Sequence, residues 1–137
     1  MFLKKLYLLF CLALLGGCTL IPHIPDLPPE RHVVHRESEE VFSHLERLAK
    51  QHWSVNRMTW KGDPIKVFSE HTGARIRTIK VQRMPFDISL PPFLEIEVST
   101  GDREKETLVV VRNIMAGKKD STFYYDNVRG WLAELEP

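Results

Sequence analysis

The hydrophobic period of this chain changes twice, and those two changes limit its fold more than any other feature. Val41, Phe42, Leu45, Leu48, Ala49 and Trp53 recur at the spacing of a helix. Further on the spacing becomes that of strands. It is clearest over residues 93–99, where Leu94, Ile96 and Val98 alternate with Glu95 and Glu97. Beyond Ser121 the helical spacing returns, with Tyr124, Val128, Trp131, Leu132 and Leu135 on one stripe. Strands joined by short turns form an antiparallel sheet. Both helices need an apolar surface, and one face of that sheet is the surface available. The expected class is therefore α+β: two layers, a four- to five-stranded antiparallel sheet, and an N-terminal and a C-terminal helix on one face.

Local chemistry fits this order. Ser38 is suited to cap the first helix, with Glu39 and Glu40 at the positive end of its dipole. Strand-like segments cover residues 54–60, 65–70, 74–84, 93–99 and 107–114, with turns at 61–64, 71–73 and 101–105. Within 74–84 the apolar phase slips between Ile76 and Ile79, which predicts a bulge. Pro85, Pro91 and Pro92 force residues 85–92 out of the sheet. Gly130, inside the last helix, costs about 1 kcal/mol relative to Ala, and a close approach by the sheet would account for it. On the outer face, Arg75 and Arg77 are expected across from Glu95 and Glu97.

The start of the chain belongs to none of this. Lys4 and Lys5 precede an uncharged apolar run over residues 6–15, which ends in Leu15-Gly16-Gly17-Cys18. A helix needs about 20 apolar residues to span a bilayer, and this run is shorter. Charge, apolar run, small residues and cysteine, in that order, resemble the signal peptide and lipobox of bacterial lipoproteins. The resemblance implies cleavage before Cys18 and a diacylglyceryl group on its sulfur. With an amide-linked acyl chain added, the anchor is stable, because two or more chains hold where one does not. It also implies a three-part organisation: residues 1–17 as signal peptide, 18–36 as lipidated Cys and Pro-rich tether, and 37–137 as a single domain. Thr19 stands where an Asp would resemble an inner-membrane retention signal. The expected address is thus the periplasmic side of the outer membrane, with a lipid anchor on the cell membrane as the alternative.

Composition then excludes several classes. Loss of residues 1–17 leaves 120 of the 137, enough for one core. It removes two of the 19 basic residues and none of the 18 acidic ones, so the net charge becomes −1. A near-neutral surface has no field to draw in nucleic acid. Cys11 falls in the removed segment, so Cys18 is the one cysteine of the mature chain and no intramolecular disulfide forms. Residues 19–36 carry Pro22, Pro25, Pro28 and Pro29 without helical or strand period and read as a linker. At about 3.1 Å per residue, its eighteen residues reach on the order of 55 Å.

The C-terminal part resembles the uncharacterised bacterial family numbered 1499 among domains of unknown function. Arg112 ends a strand, Gly117-Lys118-Lys119-Asp120 keeps a G-x-x-D spacing, and Val128 and Trp131 occupy I-x-x-F places. Thr122, Tyr124 and Asn127 replace the Gly, Asn and Arg of that pattern, and one residue is missing between Arg112 and Gly117. The resemblance implies an architecture and no mechanism.

No catalytic motif stands out: there is no G-x-S-x-G, H-E-x-x-H, phosphate loop or C-x-x-C. Glu40, His44 and His52 along one flank of the first helix have spacing compatible with a metal, as do His32 and His35 if they begin a helix. His71, Asp63 and Ser69 are a possible hydrolytic trio. Chance placement on amphipathic elements accounts for all of them, so no catalytic residue, metal site or cofactor is expected. The candidate contact residues are Phe86, Ile88, Leu90 and Phe93, because an apolar loop either covers the core or meets a partner. The expected function is that of a membrane-anchored envelope lipoprotein, a non-enzymatic adaptor or accessory subunit for another envelope protein. The alternative is a carrier or sensor of a hydrophobic small molecule such as a lipid.

Overall fold

The computed structural model describes residues 27–53, 65–73, 75–84, 88, 90–114 and 118–136. The side chains of 118–121 are outside the description. Its elements in chain order are β1 (Glu30–Val34), α1 (Ser38–Trp53), β2 (Ile65–Thr72), β3 (Ile76–Arg83), β4 (Leu94–Thr100), β5 (Thr107–Asn113) and α2 (Lys118–Ala133). The five strands form one antiparallel sheet in the order β1-β5-β4-β3-β2. Both helices pack on one face, so the fold is α+β. The strand expected over 54–60 and the turn at 61–64 lie outside the described residues.

Alternation decides which side chains meet the helices. Ile79, Ile96 and Val111 are register partners across three strands, and all three are buried. Val81 with Leu94, and Val98 with Val109, continue that face. Against it lie Val41, Leu45 and Trp53 of α1 and Tyr124, Val128 and Trp131 of α2. Trp53 meets Tyr124 edge-on at 4.9 Å and Trp131 at 4.7 Å between ring centroids, which joins the two helices over the sheet.

Four expectations are corrected. The stretch read as tether contributes a strand: Glu30–Val34 pairs with β5, Glu30 opposite Val111 and Val34 opposite Thr107. Its apolar signal is short, since only Val33 and Val34 in ERHVV are apolar, and the strand is held by main-chain pairing that composition does not reveal. No bulge interrupts β3, whose pairing runs unbroken from Ile76 to Arg83 on β2 and from Ile76 to Val81 on β4. Ile76 simply faces outward, half-buried, while Ile79 faces the core. The same alternation sends Arg77 to the helix side. There its guanidinium lies 5.1 Å from the Phe42 ring centroid and 2.5 Å from a Glu39 carboxylate oxygen of α1. Lys80, not Arg77, stands in register opposite Glu95, and Thr78 stands opposite Glu97. Finally, a Cβ built on Gly130 meets nothing within 4 Å, so no close approach by the sheet explains that glycine.

Candidate contact surface

The sheet end at which β3 and β5 finish, and at which β1 begins, gathers the candidate residues. Phe93 is the pivot. Its N–H donates to the Val81 carbonyl at 2.9 Å, and its own carbonyl accepts from the Ile114 N–H at 2.7 Å. This fixes the exit of β5 beside the entry to β4. The Leu90 N–H donates to the Arg83 carbonyl at 3.2 Å, so the Pro-rich connection folds back over the end of β3.

The four sequence candidates separate here. Phe93 is 3 % exposed and packs 5.4 Å from the Tyr124 ring, so it belongs to the core and not to a contact surface. Ile88 and Leu90 are exposed, at 61 % and 40 %. Phe86 lies outside the described residues. Two residues that loop composition does not indicate join Ile88 and Leu90: Ile114, just past β5, and Phe123, in the N-terminal half of α2. In sequence, Phe123 sits beside Tyr124 and Tyr125 in an aromatic run, and the helical stripe through Tyr124 and Val128 leaves it off the buried side. That phase is the signal that would have found it.

Arg83, Leu90, Pro91 and Phe93 line a cavity of about 130 Å³ at this end. The Arg83 guanidinium lies 5.4 Å from the Phe93 ring centroid, a cation–π geometry, and its Nε is buried without an acceptor. Among the described residues Arg83 forms no ion pair. The cavity would take one aliphatic or aromatic side chain. It is well below the roughly 300–1,000 Å³ of small-molecule pockets.

The chain leading from Cys18 arrives at the same end. Leu27 packs against the core, and the Pro28 carbonyl accepts from the Tyr125 hydroxyl at 3.3 Å. That hydroxyl in turn accepts from the Asn113 N–H at 3.1 Å, and burial is the main cause that pushes the phenol pKa up. Two residues later, at the start of β1, Glu30 is gripped by Arg129 of α2, with contacts of 2.6 Å to Oε1 and 2.5 Å to Oε2. The hydrogen bonds from Arg129 hold the Glu30 carboxyl below its usual range, against the opposing effect of burial. Cys18, the proposed lipid site, lies outside the described residues.

The histidines and carboxylates with metal or hydrolytic spacing do other work. His44 Nε2 stands 2.9 Å from the Trp131 carbonyl near the C-terminal end of α2. A carbonyl only accepts, so that nitrogen carries the hydrogen and satisfies an oxygen from the helix's last turns. His52 stacks on Trp131, 5.8 Å between centroids. His32 lies in β1, not at a helix start, and its Nε2 is 2.7 Å from a Glu30 oxygen. The Ser69 hydroxyl donates to Glu46 of α1 instead of to His71, and Asp63 lies outside the described residues. Among the described residues no three His, Cys, Asp or Glu side chains gather as metal ligands.

The opposite face of the sheet is a lattice of charge around a row that is apolar at three of its five places. Arg112 donates to Glu97 at 2.8 Å, and Lys80 sits 2.7 Å from Glu70 and 3.9 Å from Glu95. Val33, Leu108, Ser99, Ile76 and Thr72 follow one another in register across all five strands. No helix among the described residues covers that row. No family model matches the chain, and no curated protein matches it.

Proposed function

We propose that this chain is an envelope lipoprotein, held by lipid on Cys18 at the periplasmic side of the outer membrane. It acts there without chemistry of its own, as an adaptor that keeps another envelope protein at the membrane. The observation that carries this reading is the meeting of tether and exposed apolar residues at one end of the domain. An anchored domain with one apolar end has its sheet face free for a partner. The row of Val33, Leu108, Ser99 and Ile76, apolar but for the serine and bordered by the Arg112–Glu97 and Lys80–Glu70 pairs, is the surface we assign to that partner. The alternative, a carrier of a hydrophobic small molecule, would need a groove between sheet and helices. Trp53, Tyr124 and Trp131 fill that layer, which speaks for the adaptor.

Affinity recovery of the intact lipoprotein from membranes tests this, comparing the native chain with Leu108→Glu and with Ile76→Glu. The adaptor reading expects one envelope protein to be recovered with the native chain and lost from both variants. Equal recovery of it by all three would remove the sheet face from the account. Fractionation of the two membranes checks the address, and a bare Cys18 thiol by intact mass would end the anchoring reading.

A further inference from the structure

We propose that the end of the domain where the tether enters rests on the bilayer itself, with Ile88, Leu90, Ile114 and Phe123 dipping among the lipid headgroups. This rests on the reading of Cys18 as the lipid-bearing residue and adds to it a second, non-covalent attachment. Among the described residues five large apolar side chains are markedly exposed, and four of them are these. The fifth, Val33, lies towards the other end, opposite Leu108. The four come from three separate places: the Pro-rich connection, the exit of β5 and the first half of α2. They share only the end of the sheet from which they project.

The place where the chain from Cys18 joins the domain selects the bilayer as occupant. Leu27 is already packed on the core. Eight residues lie between it and Cys18, and the nine residue steps span roughly 28 Å at about 3.1 Å each. The seven residues of β5 alone are about 23 Å long at 3.3 Å per residue. A tether of that reach enters beside Pro28 and Tyr125, so this end has the shortest path along the chain to the anchor. Side chains that project singly suit a bilayer interface, which needs no complementary shape, and depths of about 5–10 Å are typical of such contacts. Charge plays a smaller part. Arg83, which lacks an ion pair among the described residues, stands beside Leu90 at this end. The contact is therefore mainly apolar and only weakly dependent on salt.

The test uses the full lipidated chain in vesicles of phosphatidylethanolamine and phosphatidylglycerol. Ile88→Cys, Phe123→Cys and Val33→Cys are each labelled with a nitroxide; the acylated Cys18 does not react. Phe123 and Val33 are equally exposed in the domain, both at 53 %, so neither label starts with less contact with water. The expected result is a several-fold loss of accessibility to a water-soluble relaxation reagent at 88 and 123, with none at 33. Should a labelled variant lose its circular dichroism, Ile114→Cys replaces it. Equal accessibility at all positions, with lipid present on Cys18 by intact mass, would overturn the bilayer contact alone and leave that end for a protein. Absence of lipid on Cys18 would overturn the anchoring reading and this proposal together.

Discussion

On the helix side of β4 and β5, Leu94, Ile96, Val98, Val109 and Val111 are closed off beneath two helices. On the other side of the same strands Val110 is 1 % exposed, although no described helix lies over it. Its register neighbours there are Arg31 and Glu97, and Leu108 and Arg112 flank it along β5. The two faces thus reach the same burial by different routes. One excludes water with interlocked aromatic and aliphatic groups; beside the other stand long charged side chains, whose apolar stems can cover a neighbour while their heads stay in water. A charged face is therefore not an energetically silent one.

That contrast can be broken or sharpened by substitution. The largest effect is expected at the centre of the helix side, where Trp53→Ala should destabilise by about 3–5 kcal/mol in chemical denaturation. Trp53 Nε1 is buried without an acceptor, so Trp53→Phe should cost much less. Next comes Val110→Ala, expected to cost about 1–2 kcal/mol. A value within about 0.5 kcal/mol, as for ordinary surface positions, would mean that the charged stems do not seal that face. Third, Gly130 stands exposed with open space beside it, so Gly130→Ala should stabilise the domain by about 1 kcal/mol. A loss instead would show a neighbour at α2 that the fold does not reveal.

The smallest effect concerns the Glu30–Arg129 pair. A carboxyl whose pKa is lowered by folding adds stability that is full above its unfolded value and disappears as pH falls through the folded one. The native chain should therefore lose more stability on acidification than Glu30→Gln. The difference between them should stay below about 1 kcal/mol at neutral pH, because the pair borders solvent. Equal acid profiles would make the pair electrostatically idle.

Much of this architecture was legible from spacing alone. The core stripes of both helices and the inward set of β4 follow directly from period, because burial on one side leaves a repeating trace. What spacing hid was settled by partners far away in sequence. β1 exists because its main chain completes the edge beside β5, and five residues with two valines carry too little pattern to announce that. Arg77 looked like an outer-face cation because two isoleucines of opposite parity, Ile76 and Ile79, competed to set the phase of β3. Only the pairing with Ile96 decides between them. At the contact surface, Ile88 and Leu90 were readable from an apolar loop among prolines. Phe93 was misassigned because it is the residue that returns the chain to the sheet. Ile114 and Phe123 became visible only once β5 and α2 were seen to meet at that end.

The edge position of β1 has a mechanical consequence. Any pull along the polypeptide from residue 18 meets the domain at Leu27 and Pro28, passes into β1 at Glu30 and runs along the strand, towards the end where the chain came in. Antiparallel hydrogen bonds lie across such a load, so all the bonds between β1 and β5 resist together instead of opening one by one. The Arg129 fork on Glu30 and the Tyr125 hydroxyl on Pro28 add a clasp at the point where force arrives. On the adaptor reading, a cargo tugging on this domain would strain a joint loaded in shear, the sturdier of the two ways to stress a pair of strands.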